Sequence, residues 1–310
     1  MSASQDAGSM EWLTNVVAIP GLTALYTLDG RRIDSTNRVV TPVTNKKFTK
    51  DYAGAPESCT IPTNLDFVDT PTMYLGYVTS HYGHFLTDSM SRWWATLDLD
   101  LPCFALESQK LTSNFHVEII DALGIRLLPP TDRPTLYRRV LSPEPSLTRE
   151  LDIKPFADRA HLRVTDVLYP QPKFEFSNRI FLSRLGYPSK RRIDQEAEQE
   201  LENRAAAAGY QLIKPETLTF AQEIQIFNEA EFITGILGSA FLTALFSRKS
   251  YKGHIAIFLA NSSLDRCGMV HKIKSHGLDG IECMSYDAEN RMLNIDPVQA
   301  MNALGRLGML

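Results

Sequence analysis

Beyond residue 72 the chain alternates between short apolar runs and stretches whose apolar residues recur every three or four positions. A continuous apolar run of strand length suits a strand buried on both faces, whereas the three-to-four spacing suits an amphipathic helix. On that basis MYLGYVTS (73–80) is predicted to be a strand and HYGHFLTDSMSRWWATL (81–97) a helix. PCFALE (102–107) follows as a strand, FHVEIIDALGI (115–125) as a helix closed by Gly124, and TLYRRVLS (135–142) as another strand. Strands interleaved with helices predict a parallel sheet. The first 64 residues are rich in Thr, Asp, Gly and Pro, with short β-branched runs such as VVAIP and RVVTPV, and predict hairpins or irregular strands.

Helical spacing returns over 155–169 (Phe156, Ala160, Val164, Leu168), and the loop YPQPKFEFSN (169–178) then marks the domain boundary. The expected domains are therefore 1–170 and 171–310. In the second, RIFLSR (179–184) is a strand, LGYPSKRR a basic loop, and a helix runs from the cap Asp194 to a stop at Gly209. Next come the strand YQLIK, a helix opened by a Thr219/Gln222 capping box, the strand FITG, the helix SAFLTALF and the strand HIAIFLA (254–260). Four strands with helices between them predict a doubly wound, Rossmann-like unit. PVQAMNALGRLGML (297–310) predicts a final helix able to pack back across the junction.

Composition narrows the class further. With 44% hydrophobic and 22% charged residues the 310-residue chain is an ordinary globular protein, which excludes disordered and fibrous classes. Lys plus Arg number 32 against 36 Asp plus Glu, a net charge of −4, so no global field favours nucleic acid or an anionic membrane. Any phosphate site has to be local. Cys59, Cys103, Cys267 and Cys283 form no CxxC pair and have no His at zinc spacing, as expected of reduced thiols in a reducing compartment. The start shows no basic segment followed by an apolar run, and the longest uncharged stretch, 232–247, is too short and too glycine-marked to span a membrane. The expectation is a cytoplasmic protein without a transmembrane segment, with peripheral attachment at a membrane surface left open.

Three groups of residues can carry chemistry. On a regular helix turning about 100° per residue, His81, His84, Asp88 and Arg92 share a sector of about 80°, opposite Leu86, Met90, Trp93 and Leu97. His84 with Asp88 one turn on is the pairing in which a carboxylate holds an imidazole's tautomer and makes it a usable general base. A solvated helix face with Asp88 and Arg92 as an i,i+4 pair explains the same residues and is the commoner case. A metal on His81, His84 and Asp88 has no HExxH signature behind it.

The other two groups are loops. Gly235-Ile-Leu-Gly238-Ser239 leads from a strand into a helix, where close backbone approach and the first N–H groups suit an anion. Ser183, Arg184, Lys190, Arg191 and Arg192 follow another strand, and Arg forks suit phosphate oxygens. A tight turn and a solvated basic loop explain each one alone. Both lie at the carboxyl edge of one predicted sheet, where open α/β sheets bind ligands, and together they suit a nucleotide diphosphate. GxGxxG, GxxxxGK[ST] and GxSxG are all absent, which removes the dinucleotide, P-loop and nucleophile-elbow readings.

HYGHFLTDSMSRWW resembles the HxxHxLxDxLxRLW-type segment of glycosyltransferase family 61, whose bacterial members are often associated with capsule or lipopolysaccharide synthesis. The FLSR strand end, RRIDQEAEQEL and GYQLIKPETLTFAQEIQIFNEAEFITGILGSAFLTALF resemble later parts of the same family, so the resemblance covers about 73–260. The sequence departs from the family pattern at Leu237, where a His is usual, at Ala244, where an Asn is usual, and at Gln195-Glu196, where Asn-Glu is usual.

The resemblance implies an α/β, GT-B-like fold, two Rossmann-like domains facing a cleft, with the nucleotide-sugar on the C-terminal domain and the acceptor on the N-terminal one. It also implies inverting transfer, usually from a UDP-sugar, with no metal or other cofactor. His84 and Asp88 would then be catalytic, either supplying the base, with His81 and Arg92 on the acceptor side. Ser183, Arg184, Arg191, Gly235, Gly238 and Ser239 would hold the donor. The expected activity is transfer to a glycan or lipid-linked acceptor in surface polysaccharide synthesis. The rival expectation is a non-catalytic nucleotide-sugar or glycan-binding partner in a polysaccharide assembly system.

Overall fold

A computed structural model describes residues 8–38, 54–107, 111, 113–130, 132–147, 152–169, 173–186, 192–260, 269–278, 280–289 and 292–310. Contacts divide the chain into two compact units, Met1–Val164 and Thr165–Leu310. The division falls inside the helix Asp158–Leu168, a little before the loop 169–178.

The first unit is built on β1 (Met10–Ala18), β2 (Asp66–Val68), β3 (Thr72–Val78), β4 (Cys103–Glu107) and β5 (Thr135–Pro143). Their order is β1-β5-β3-β4, with β2 alongside β5. β3 pairs in parallel with both β4 and β5, while β1 runs antiparallel along β5 from Met10↔Pro143 to Ala18↔Thr135. The early segment thus supplies a long edge strand. β3, β4 and β5 alone have the order 2-1-3, so the chain reverses its direction of progress across the sheet between β3 and β5. Val16, Leu25, Tyr74, Phe104, Tyr137 and Val140 form the core on one side, with the Phe104 and Tyr137 rings stacked 4.0 Å apart.

The connection from β3 to β4 differs from the regular helix that its spacing predicts. One α-helical turn, α1 (Tyr82–His84), opens into a π-helical turn (Phe85–Ser89) and then tightens into a 3-10 helix (Met90–Leu97). Hydroxyl groups inside it bond to backbone carbonyls, Thr87 Oγ1 to Gly83 O at 2.9 Å and Ser91 Oγ to Asp88 O at 2.6 Å, and such bonds compete with a regular ladder. Thr87, Ser89, Ser91 and Arg92 are buried along with Leu86, Met90 and Trp93, so the segment has no broad wet face. The crossover from β4 to β5 is α2 (Asn114–Leu123), opened by a Ser113/His116 capping box and ended by Gly124 at φ 66°. The helix at the division is α3 (Asp158–Leu168).

The second unit holds β6 (Arg179–Leu182), α4 (Gln195–Ala207), β7 (Gln211–Ile213), α5 (Phe220–Glu229) and β8 (Phe232–Ile236). A 3-10 helix (Ser239–Phe246), β9 (His254–Ala260), α6 (Met269–Ser275) and β10 (Ile281–Tyr286) follow. A two-stranded ribbon, β11 (Ala288–Glu289) and β12 (Met292–Leu293), precedes α7 (Pro297–Arg306). The sheet order is β10-β9-β8-β6-β7 and every pair is parallel. Counted from β6 this is the 2-1-3-4-5 order of a doubly wound sheet, whose first four strands, though not their order, the sequence pattern predicts.

Phe181, Ile236, Ala256 and Phe258 point to one face and meet Leu201 and Ala205 of α4 and Ala300, Met301 and Leu304 of α7. The final helix therefore packs on α4, within its own unit. Ile180, Ile233, Ile255 and Ile257, between them along the strands, are equally buried. Burial on both faces is what gives these strands continuous apolar runs.

Candidate active site

In the first unit the chemistry-bearing residues sit just past the carboxyl end of β3, at the reversal between β3 and β5, where such sheets place ligands. His84 Nδ1 lies 2.9 Å from Asp88 Oδ2, and the two side chains are 28% and 5% exposed. Thr87 Oγ1 lies 2.9 Å from the other carboxylate oxygen, Oδ1. Arg38, which precedes Asp88 by fifty residues, brings Nη2 to 3.2 Å from the same Oδ2 that His84 uses. Its guanidinium also lies over the Tyr77 ring, 5.2 Å from the centroid. His81 is exposed, its ring 5.1 Å from that of His84. With Nδ1 committed to Asp88, proton uptake by the neutral imidazole falls to Nε2.

Arg38 has no sequence signal: no local motif points to it, and only the fold brings it to Asp88. Arg92 is the converse. Its place in the helical stripe predicts an exposed acceptor-side residue, but it is 3% exposed. Nη2 donates to Ser35 O at 2.7 Å and reaches Asn37 O at 3.5 Å, while Nη1 donates to Pro143 O. The π-helical turn and the burial of the whole segment carry it inward, where it ties the chain before Arg38 to β5. Burial also pushes its pKa below the usual guanidinium value.

In the second unit the described starts of the two predicted loops lie side by side. β6 and β8 are hydrogen-bonded neighbours, and the sheet order reverses between them, so their carboxyl ends form the switch point. Arg184 leaves the end of β6, and its Nη1 occupies the place a Cβ on Gly238 would take. Gly238 is extended and precedes the 3-10 helix, whose first bond is Phe241 N–H to Gly238 O at 3.1 Å. The N–H groups of Ser239 and Ala240 stand ahead of that bond, beside a guanidinium, which makes the edge electropositive. Gly235 has another reason to be glycine: it pairs with Leu182 at φ 152°, and a Cβ would lie 2.8 Å from the Leu182 carbonyl oxygen.

Ser183 differs from its expected part. It is 2% exposed, its N–H continues the sheet to Ile213 O at 2.8 Å, and its hydroxyl bonds to the buried Glu202 carboxyl. Burial raises the Glu202 pKa, and the Ser183 hydroxyl and the Lys214 charge partly oppose the rise. Ser183 thus anchors the end of β6 and presents no surface to a ligand. Of the positions that depart from the family pattern, the backbone of Leu237 donates its N–H to Phe258 O at 2.8 Å and Ala244 is fully buried in the core. Arg191 and Lys190 lie outside the described residues. Among the described residues no helix is long and apolar enough to cross a membrane. Burial pushes the Cys103 thiol up to about 12, which makes it a poor nucleophile.

A family model described as Glycosyltransferase 61 matches residues 82–253, more than half of the chain. The match begins at α1 and runs to the loop before β9, taking in both His84 with Asp88 and the loops after β6 and β8. No curated protein matches the chain. The mixed α/β units with their parallel sheets agree with a glycosyltransferase fold, and the chain belongs to the glycosyltransferase 61 family and is a glycosyltransferase.

Proposed function

We propose that the protein transfers a sugar from a UDP-sugar to a hydroxyl of a glycan or lipid-linked acceptor in surface polysaccharide synthesis, with inversion and without a metal. The observation that carries this reading is the placement of Arg184 against Gly238 and the start of the 3-10 helix, at the switch point of the second sheet. A guanidinium beside the first N–H groups of a helix can take up the charge that develops on a leaving diphosphate. Arg184, Gly238 and Ser239 then touch the donor, Gly235 and Ser183 hold the edge that presents them, and Arg191, outside the described residues, is a further donor-binding residue. The second unit is the donor half and the first the acceptor half of a GT-B-like enzyme. We place the enzyme in the cytoplasm, peripheral at the inner membrane surface.

In this mechanism His84 Nε2 takes the acceptor proton as the acceptor oxygen bonds to the anomeric carbon, and the bond to the diphosphate breaks with its electron pair. Asp88 holds the imidazole through Nδ1, and His81 lines the acceptor approach. The test is UDP release from a panel of UDP-sugars with and without EDTA. Release that EDTA leaves unchanged supports the reading. Release abolished by EDTA overturns metal-free transfer, and no release from any member overturns the donor class.

A further inference from the structure

Arg38 lies outside the residues matched by the family model, yet it reaches the centre of the acceptor-side cluster. Its Nη2 and His84 Nδ1 share one carboxylate oxygen, Asp88 Oδ2, at 3.2 and 2.9 Å, and the side chains of Arg38 and Asp88 are 9% and 5% exposed. A carboxylate so far from water is costly unless it is paired, and a guanidinium stays charged at every working pH. Arg38 is itself held from two sides. Its guanidinium lies over Tyr77 of β3, and the chain just before it is tied by the bonds of Arg92 to Ser35 O and Asn37 O.

We infer that Arg38 is a positioning residue for proton transfer by His84. By sharing Oδ2 it keeps Asp88 ionised as the acceptor of the Nδ1–H bond, so Nε2 of His84, and not Asp88, takes the proton of the acceptor hydroxyl. The inference rests on His84 being the base. The charged and titratable groups that meet this cluster include Asp88, Arg38, His81 ahead of α1, and Tyr77 of β3 beneath the guanidinium. Without Arg38 the Asp88 carboxylate keeps Thr87 Oγ1 and the imidazole beside it but loses its permanent cation, so the imidazolium form of the ring is the one that gains. An imidazolium cannot act as a base.

The test uses the full chain with Arg38→Gln, Arg38→Lys, Asp88→Asn, His84→Ala and the double variant Arg38→Gln/Asp88→Asn. On a UDP-sugar that is turned over, Arg38→Gln is expected to lower kcat by about 10- to 100-fold, below the full worth of a general base, with donor KM unchanged. Arg38→Lys restores most of the rate, and the double variant is no slower than Asp88→Asn alone, because Arg38 acts through Asp88. The ring 15N shifts of His84, read at one pH near neutrality without substrate, need no turnover. They are expected to show a larger doubly protonated fraction in Arg38→Gln than in the parent. Full kcat in Arg38→Gln beside a loss in His84→Ala overturns this inference alone, as do unchanged ring shifts. Full kcat in His84→Ala overturns the base assignment first and this inference with it.

Discussion

Arg184 and Gly238 compete for one small volume: Nη1 of the arginine stands where a Cβ on the glycine would be. Gly238→Ala should therefore act as a donor-site substitution although it only adds a methyl group. UDP affinity, measured by calorimetry, is expected to fall about 10- to 100-fold, the range of a lost hydrogen bond to a charged group. The thermal midpoint should stay near that of the parent, since Gly238 is already extended. Unchanged UDP affinity would show that Arg184 can move away at no cost to the ligand.

Arg184→Ala and His84→Ala should separate in steady-state kinetics. The first is expected to raise donor KM by about 10- to 100-fold through lost ground-state binding. His84→Ala is expected to leave donor KM in place and lower kcat by about 100- to 10,000-fold, the usual worth of a general base. If both variants changed only KM, proton transfer would not involve His84.

Arg92→Met tests a structural role for a residue that sequence places on a polar face. Removing the guanidinium leaves the carbonyls of Ser35 and Pro143 without their donor inside the first unit. The expected loss is about 3 kcal/mol, read as a lower urea midpoint at unchanged slope. Activity should fall too, since the chain carrying Arg38 loses its tie. A variant of parental stability would show that the carbonyls find other partners.

His116 gives the fold an acid limit. Its ring is fully buried, Nδ1 accepts the Ser113 N–H at 3.3 Å, and Nε2 has no hydrogen-bond partner among the described residues. Burial pushes its pKa down to about 4. The unfolded chain, with an ordinary imidazole near pH 6.5, binds the extra proton first. Stability is therefore whole above about pH 6.5 and declines as pH falls toward about 4, by on the order of 3 kcal/mol in total. His116→Gln, which keeps an acceptor for the cap, should flatten chemical-denaturation stability across that window. A parent-like slope in the variant would assign the acid sensitivity to other groups.

The strands β3, β6, β8 and β9 are legible because burial on both faces writes a continuous apolar run into the sequence. Among the described residues β10 has a neighbour only in β9, and exposed residues such as Glu282 and Ser285 interrupt its run, so no pattern predicts it. The pairing of β1 with β5 is equally silent, because long-range register is not a local property. At the site, the His84/Asp88 spacing shows in the sequence since both belong to one turn. The face argument fails at Arg92 because it assumes a regular helix with one wet side, and the segment has neither. Ser183 fails for a related reason: its position at a strand end predicts access, but Glu202 of α4 takes its hydroxyl. Arg38 is invisible because fifty residues separate it from the carboxylate that gives it meaning.

The parallel sheet of the second unit also sets the order in which the protein can be assembled. β6 must meet β8, from Arg179↔Phe232 to Leu182↔Gly235, across a stretch that includes α4, β7 and α5. Neither strand can reach the other by a hairpin, so their junction forms by closing a long loop, a slow step in any chain. Arg184 and Gly238 are strangers until that closure. The electropositive edge is therefore a late product of folding, and a nascent chain released before β8 carries only half of it.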